Sequence, residues 1–346
     1  MLKVNRLGVI IRSSGQGFEQ DGVLNPAVLQ EGDVIHVFYR AVATGNYSSI
    51  GYCKLKSPLE VAEQLDKPVL FPQFDYESQG VEDPRLVKID DTYYMSYTAY
   101  DGVNALGALA TSQDLVTFTK YGLICPTFLF NDFKRLAEVM QPLNEKYVRY
   151  NKRENRKMKR NKPVHMWIKN LVFFPRRIHG KLVFMQRIKP DIQLVSIENL
   201  EELTQEFWEL YMQNIGQHIM MEPRFPHEVS YIGAGCPPIE TSEGWLIIYH
   251  GVHDSPSGYV YCACAALFDI NDPCKELARL PYPLFQPELT YEKIGEVDNV
   301  CFPTGTAIID NTIYIYYGAA DDMVACASVS MVELLQELAL YPITHA

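Results

Sequence analysis

One unit recurs five times along the 346 residues, and no other feature limits the possible folds as strongly. Each copy begins with an x-Pro pair, runs through an aliphatic strand, turns at Gly or Asp/Asn, and enters a second strand rich in Tyr or other large apolar residues. The copies read NPAVLQEGDVIHVFYRA, DPRLVKIDDTYYMSYTA, FPRRIHGKLVFMQRI, PPIETSEGWLIIYHG and FPTGTAIIDNTIYIYYG. Their prolines, Pro26, Pro84, Pro175, Pro238 and Pro303, lie 58, 91, 63 and 65 residues apart. Setting aside about 30 residues of inserted helix brings the long step into line with the others. Further short strands such as SIGYCKL, ALGALAT, YVYCACAALFD and MVACASVS follow the second strands. Five small antiparallel sheets of this kind predict an all-β fold, a five-bladed β-propeller with an inserted helical arm, built as one domain over 1–346.

The insertion is expected over 128–165, between the second and third units. Its core, KYVRYNKRENRKMKRNK at 146–162, carries nine Lys or Arg and one Glu, and FNDFKRLAEVMQPL precedes it with a break near Pro142. IENLEELTQEFWELYMQ is the other persistently helical stretch. The basic run reads as a solvated helix or an oligomer contact, or else as a lid over an anionic substrate or a site for an anionic partner. The formal net charge of −11 argues against nucleic acid as a partner, because such binding is dominated by neutralising phosphates. No apolar run reaches the about 18 residues of a membrane span, and MLKVNRLGVIIRSSGQGFEQ lacks a long apolar core or small-residue cleavage site. A soluble, cytoplasmic protein with no membrane partner is expected. The eight cysteines form no C-x-x-C pair, and Cys262 and Cys264 share one face of an expected strand, so reduced core thiols are expected.

In a propeller the innermost strands converge, so equivalent positions of each unit face one hollow. The x-Pro pairs and second-strand ends bring Asn25, Arg40, Asp83, Arg85, Arg187, His250 and Asp321 to those positions. The set is polar, which predicts a pocket. G-x-S-x-G, H-E-x-x-H and Walker motifs are missing, and no compact His/Cys/Asp set calls for a metal. Carboxylates, cations and aromatics suit a sugar. Glycoside cleavage needs an acid for the leaving oxygen and a nucleophile on the opposite face of the ring. Two carboxylates supply these, or one carboxylate and a cation cluster that holds inorganic phosphate as the nucleophile.

The blocks GVEDPRLVKIDDTYYMSYTAYDG, IGAGCPPIETSEGWLIIYHGV, ALFDINDP and VCFPTGTAIIDNTIYIYYGAAD resemble the hallmark blocks of glycoside hydrolase family 130, in order, from about residue 20 to 335. That family holds chiefly β-mannoside phosphorylases, with a smaller branch of β-mannosidases. The resemblance implies inverting phosphorolysis of a β-mannoside such as mannobiose, a mannooligosaccharide or mannosyl-glucose. The products would be α-mannose 1-phosphate and an acceptor sugar, with phosphate as co-substrate and no cofactor. It implies Asp83 as the general acid, acting through a mannose hydroxyl. It places Asn25, Arg40 and Asp321 on the mannosyl unit, and Lys169, Asn170, Arg187, Tyr231, His250 and Tyr261 on phosphate. Glu82, Arg85, Glu228 and Glu240 fit either the site or salt bridges between blades; Glu82 and Arg85, beside the acid, are taken as substrate-binding candidates. Two positions depart from the family: Tyr231 stands where a Lys is usual, and Lys169 where an Arg is usual. None of the phosphate positions is acidic, whereas the hydrolytic branch replaces phosphate-site cations with acids. Hydrolysis with water, with Glu228 as its candidate base, and sugar binding without catalysis are the rival readings, and a homo-oligomer is compatible with either.

Overall fold

Turn residues cut the aromatic runs into hairpins. Asp310 and Asn311, with φ of 47° and 61°, form the two-residue turn between the strands Cys301–Ile309 and Thr312–Ala319. Asp and Asn tolerate this left-handed backbone, and the resulting turn matches the twist of a two-residue hairpin. The computed structural model describes residues 2–140, 142–157 and 163–343, and its strands form four sheets.

The largest sheet has eight strands. Gly22–Glu31, Val34–Ala43 and Tyr47–Ser57 run antiparallel, with Glu60–Gln64 at their edge. Gly80–Ile89, Thr92–Tyr100, Ala105–Ser112 and Thr119–Leu123 repeat the pattern. The third sheet unit contains Lys169–Phe173, Leu182–Ile188, Asp191–Ile197 and Ile219–Met221. The fourth is built on Tyr231–Ala234, Gly244–Ser255, Gly258–Phe268 and Glu276–Arg279, with Ile239–Thr241 as a fifth strand. In the last, Asn5–Ile11 pairs with Met323–Ser330, so the two ends of the chain share a sheet.

The five-bladed β-propeller expected from the repeat is not what the strand pairing shows. The described residues form four sheets, of four, four, five and eight strands, with no closed ring of five separate blades. The first two units are fused by a parallel pairing of Ser48 with Gly80. A side chain at Gly80 would place its Cβ 2.9 Å from that of Ser48, so glycine is what permits the backbones to meet. Nor is the protein all-β: beside the arm it carries the helices Gln205–Gln213 and Met331–Leu338.

The repeat also needs realignment. In the first two units the x-Pro pair is a β-bulge: Asn25–Pro26 and Asp83–Pro84 each insert an extra residue opposite the partner strand, between Leu24 and Ala27 and between Glu82 and Arg85. The third unit has its bulge at Asn170–Leu171, and Pro175 lies beyond that strand. Pro238 likewise follows Tyr231–Ala234.

The arm contains two helices, Phe130–Ala137 and Glu145–Lys157, separated near Pro142. Residues 158–162 of the basic run lie outside the described residues. The arm is anchored in the core: Phe133, Leu136 and Tyr147 are buried in one apolar cluster with Phe173, Trp208 and Tyr211. The Tyr147 hydroxyl donates 2.5 Å to Asp191, and Lys146 pairs with the same carboxylate at 2.8 Å. All eight cysteines are free thiols, and each except Cys274 is buried. No helix among the described residues is long and apolar enough to cross a membrane.

Candidate active site

The bulges determine where the site forms. Asn25, Asp83 and Asn170 have φ of 47°, 49° and 57°, and Asp321 has 52°. A bulge with a left-handed residue kinks the strand and re-aims that residue's side chain. All four side chains line one cavity of 160 Å³, together with Arg40, Lys169, Arg187, Tyr261, Val297, Val300 and Phe302. A second cavity of 320 Å³ adjoins it, sharing Arg40, Val297 and Asp321 and adding Asp21, Asn46 and Glu296. Two glycines make room: a Cβ at Gly318 would overlap the Asn25 side chain, and one at Gly233 would lie 2.5 Å from His250 Nε2 and 2.6 Å from Asn170 Nδ2.

Asp83 sits at the centre of the polar network. Asn25 Nδ2 donates to its Oδ1 at 2.8 Å, Arg40 Nη1 lies 3.6 Å from the same oxygen, and Lys169 Nζ lies 3.7 Å from Oδ2. Burial pushes the Asp83 carboxyl up, but Lys169, Arg40, Asn25 and Arg85 outweigh it and bring it down to about 2. Asp321 shares the cavity with the same cations, Arg40 and Lys169. There burial dominates, opposed by Arg40 and reinforced by the Asp83 charge, and its carboxyl is pushed up to about 6. The two acids of one cavity are thus driven apart.

This separation has a sign that can be measured. Asp321 binds its proton more tightly folded than unfolded, so its contribution to stability is complete below about pH 4 and is lost as pH rises through about 6. Asp321→Asn is therefore expected to melt a few degrees above the wild type at pH 7.5, with the gap narrowing toward pH 4. Asp83, depressed, acts oppositely: its contribution is present above about pH 4 and disappears as pH falls toward 2. Melting curves of the Asp321 variant across that range check the assignment, and a gap of the same size at every pH would refute it.

The remaining expected residues lie just behind the cavity wall. Glu82, buried, accepts from Arg40 Nη2 at 2.9 Å and lies 3.8 Å from Lys169, so it positions cations. Arg85 is buried beneath Phe302, 5.5 Å from its ring, and donates to the carbonyls of Asp83, Pro84 and Gly235. Tyr231 hydrogen-bonds Tyr261 through their hydroxyls.

His250 holds no cation. Its Nε2 accepts from Arg187 Nη1 at 3.2 Å and lies 3.4 Å from Asn170 Nδ2, which places the proton on Nδ1. Burial, then Arg187, Arg85, Lys189 and Lys169, drive its pKa far below the ordinary value. It enters the site as a neutral ring that aligns Arg187.

Glu228 is closed to chemistry. It has no exposure, one oxygen accepts from the Arg224 and Phe225 amides and from Arg279, and the other from Tyr249. His227, Glu228 and Cys264 bring ligand atoms within 4.8 Å of one another, the compact set the sequence did not reveal. Glu228 of this set pairs with the Arg279 guanidinium at 3.2 Å. Glu240 pairs with Arg176 at the surface. Val297, Val300 and Phe302, the apolar side of the cavity, escaped the sequence reading; Phe302 is the residue before Pro303 in the fifth x-Pro pair, and that pair could have pointed to it.

Two acids held at different pKa values beside Arg and Lys, at the meeting of bulged strands, make this cavity a candidate enzyme site. The chain belongs to glycoside hydrolase family 130: the family model described as beta-1,4-mannooligosaccharide phosphorylase matches residues 15–339. The 1,2-beta-oligomannan phosphorylase of Thermoanaerobacter sp. strain X514 is 31% identical across 96% of this chain and 99% of its own. A beta-1,2-mannobiose phosphorylase of the same organism is 32% identical across 90% of each. The solved beta-1,2-mannobiose phosphorylase of Listeria innocua, in complex with beta-1,2-mannobiose, shares the fold with a TM-score of 0.71 at 22% identity, over 98% of this chain and 100% of that one.

Proposed function

We propose that this protein cleaves a β-mannoside by inverting phosphorolysis, giving α-mannose 1-phosphate and a free acceptor sugar. The observation that carries the reading is the composition of the cavity wall. Arg187, Lys169, Asn170 and Tyr261 offer an anion two cations and neutral donors, beside Asp83 as the nearest acid of the same wall. Membership of a family whose near-full-length relatives are named phosphorylases supports it.

In this reading Asn25, Arg40 and Asp321 hold the mannosyl hydroxyls, and the adjoining cavity takes the leaving sugar. A phosphate oxygen attacks the anomeric carbon as the glycosidic C–O bond breaks, and the leaving oxygen takes a proton from Asp83 through a mannose hydroxyl. Asp83 is ionised in the empty site, so its proton must be gained on loading. An anion beside Lys169 cancels the strongest of the pulls that keep Asp83 ionised, which couples phosphate binding to readiness of the acid. Glu228, the candidate base for water, has both oxygens engaged.

Incubation with β-1,2- and β-1,4-mannobiose, with and without phosphate, tests this. Mannose 1-phosphate is expected with phosphate and negligible turnover without it. Free mannose released at equal rates under both conditions would establish hydrolysis; no turnover on any mannoside, with sugar still bound, would leave a binding protein.

A further inference from the structure

Tyr231 is a buried neutral ring crowded by cations. Arg187 Cζ lies 5.1 Å from its centroid and Lys189 Nζ 4.4 Å. Arg187 lies in the strand Leu182–Ile188 and Lys189 opens the turn that follows it. The Tyr231 hydroxyl in turn bonds Tyr261, which lines the cavity. Lys189 reaches the site electrostatically as well, since its charge helps to keep His250 neutral.

The turn that carries Lys189 is fixed by the arm. Asn151 Nδ2, buried, donates 3.4 Å to the Lys189 carbonyl, and Tyr147 anchors on Asp191 two residues further on. Tyr150 of the same helix packs edge-on against Tyr231, 6.5 Å between centroids. A ring held from one side by the helix and stacked on two cations is a rigid mount for their charges.

We infer that Lys189 is a determinant of phosphate affinity in this chain: mounted with Arg187 against Tyr231, it adds a positive charge to the anion site. The inference rests on the phosphorolytic reading. Lys189 acts through space and through Tyr231, so it is a positioning residue, and Tyr231 is its platform.

The experiment uses the full chain, with inorganic phosphate as the probe. Lys189→Met is expected to raise the KM for phosphate about five- to tenfold, and to weaken phosphate binding measured by calorimetry in parallel. The KM for mannobiose should stay at the wild-type value. Lys189→Arg should recover most of the loss. Adding Tyr231→Lys to Lys189→Met should recover it by placing a charge at position 231, a rescue that a merely structural lysine would not show. Wild-type phosphate KM and binding in Lys189→Met overturn the inference while phosphorolysis stands. So do equal changes in both KM values without rescue. A wild-type enzyme that neither binds nor needs phosphate overturns both.

Discussion

Asp83→Asn is expected to lower kcat for mannobiose phosphorolysis on the order of a thousandfold, while mannobiose binds within a few-fold of the wild type. The amide keeps the acceptor oxygen for Asn25, 2.8 Å away, so the bulge should retain its shape. What it removes is the proton that the leaving sugar oxygen requires. An aryl β-mannoside whose phenolate leaves without help should therefore recover most of the lost rate in the variant. Equal losses on both substrates would reduce Asp83 to a binding residue. The substitution also leaves Arg40 and Lys169 without one of their counter-charges. Glu82, paired with both, limits that disturbance, and a melting curve of the variant separates it from the chemical loss.

The legible part of this site is the part written in local backbone chemistry. Asn25 and Asp83 could be placed because Asn-Pro and Asp-Pro sit at the start of aliphatic strands, where a residue that tolerates positive φ and a residue without an N–H together make a bulge. Asn170 has the same conformation and no proline after it, so Pro175 drew the third unit out of register. The fusion of the first two units was illegible for a different reason. It depends on one close approach, Gly80 to Ser48, that no periodicity encodes.

The protonation states were illegible as well. His250 reads as a cation by residue type, and it becomes a neutral acceptor because Arg187, Arg85, Lys189 and Lys169 converge on it from different strands. Residue type therefore located the site, and three-dimensional crowding of charge decided what each group does there. The same crowding splits Asp83 from Asp321, two aspartates with equal intrinsic acidity.

Replacing Arg85 should produce the largest loss of stability. Its side chain is 2% exposed, and its guanidinium donates to the carbonyls of Asp83 at 3.1 Å and Pro84 at 3.0 Å and to that of Gly235. It thus ties the acid-bearing bulge to the segment that follows Tyr231–Ala234 in another sheet. Burial alone would make this cation costly, and it lowers the Arg85 pKa to about 10 despite the help of Asp83. The bonds it donates to three carbonyls offset that cost. Arg85→Met fills similar volume but strands them all, and is expected to cost roughly 3–5 kcal/mol in denaturant unfolding. Arg85→Lys keeps the charge and forfeits the fork, so it should recover only part of that loss. Because Asp83 rides on the same bulge, kcat should fall in both variants even where they are fully folded, and in the order of their lost stability. A Met variant that unfolds at the wild-type midpoint would show that the bulge holds itself, and that the buried cation serves the anion site instead.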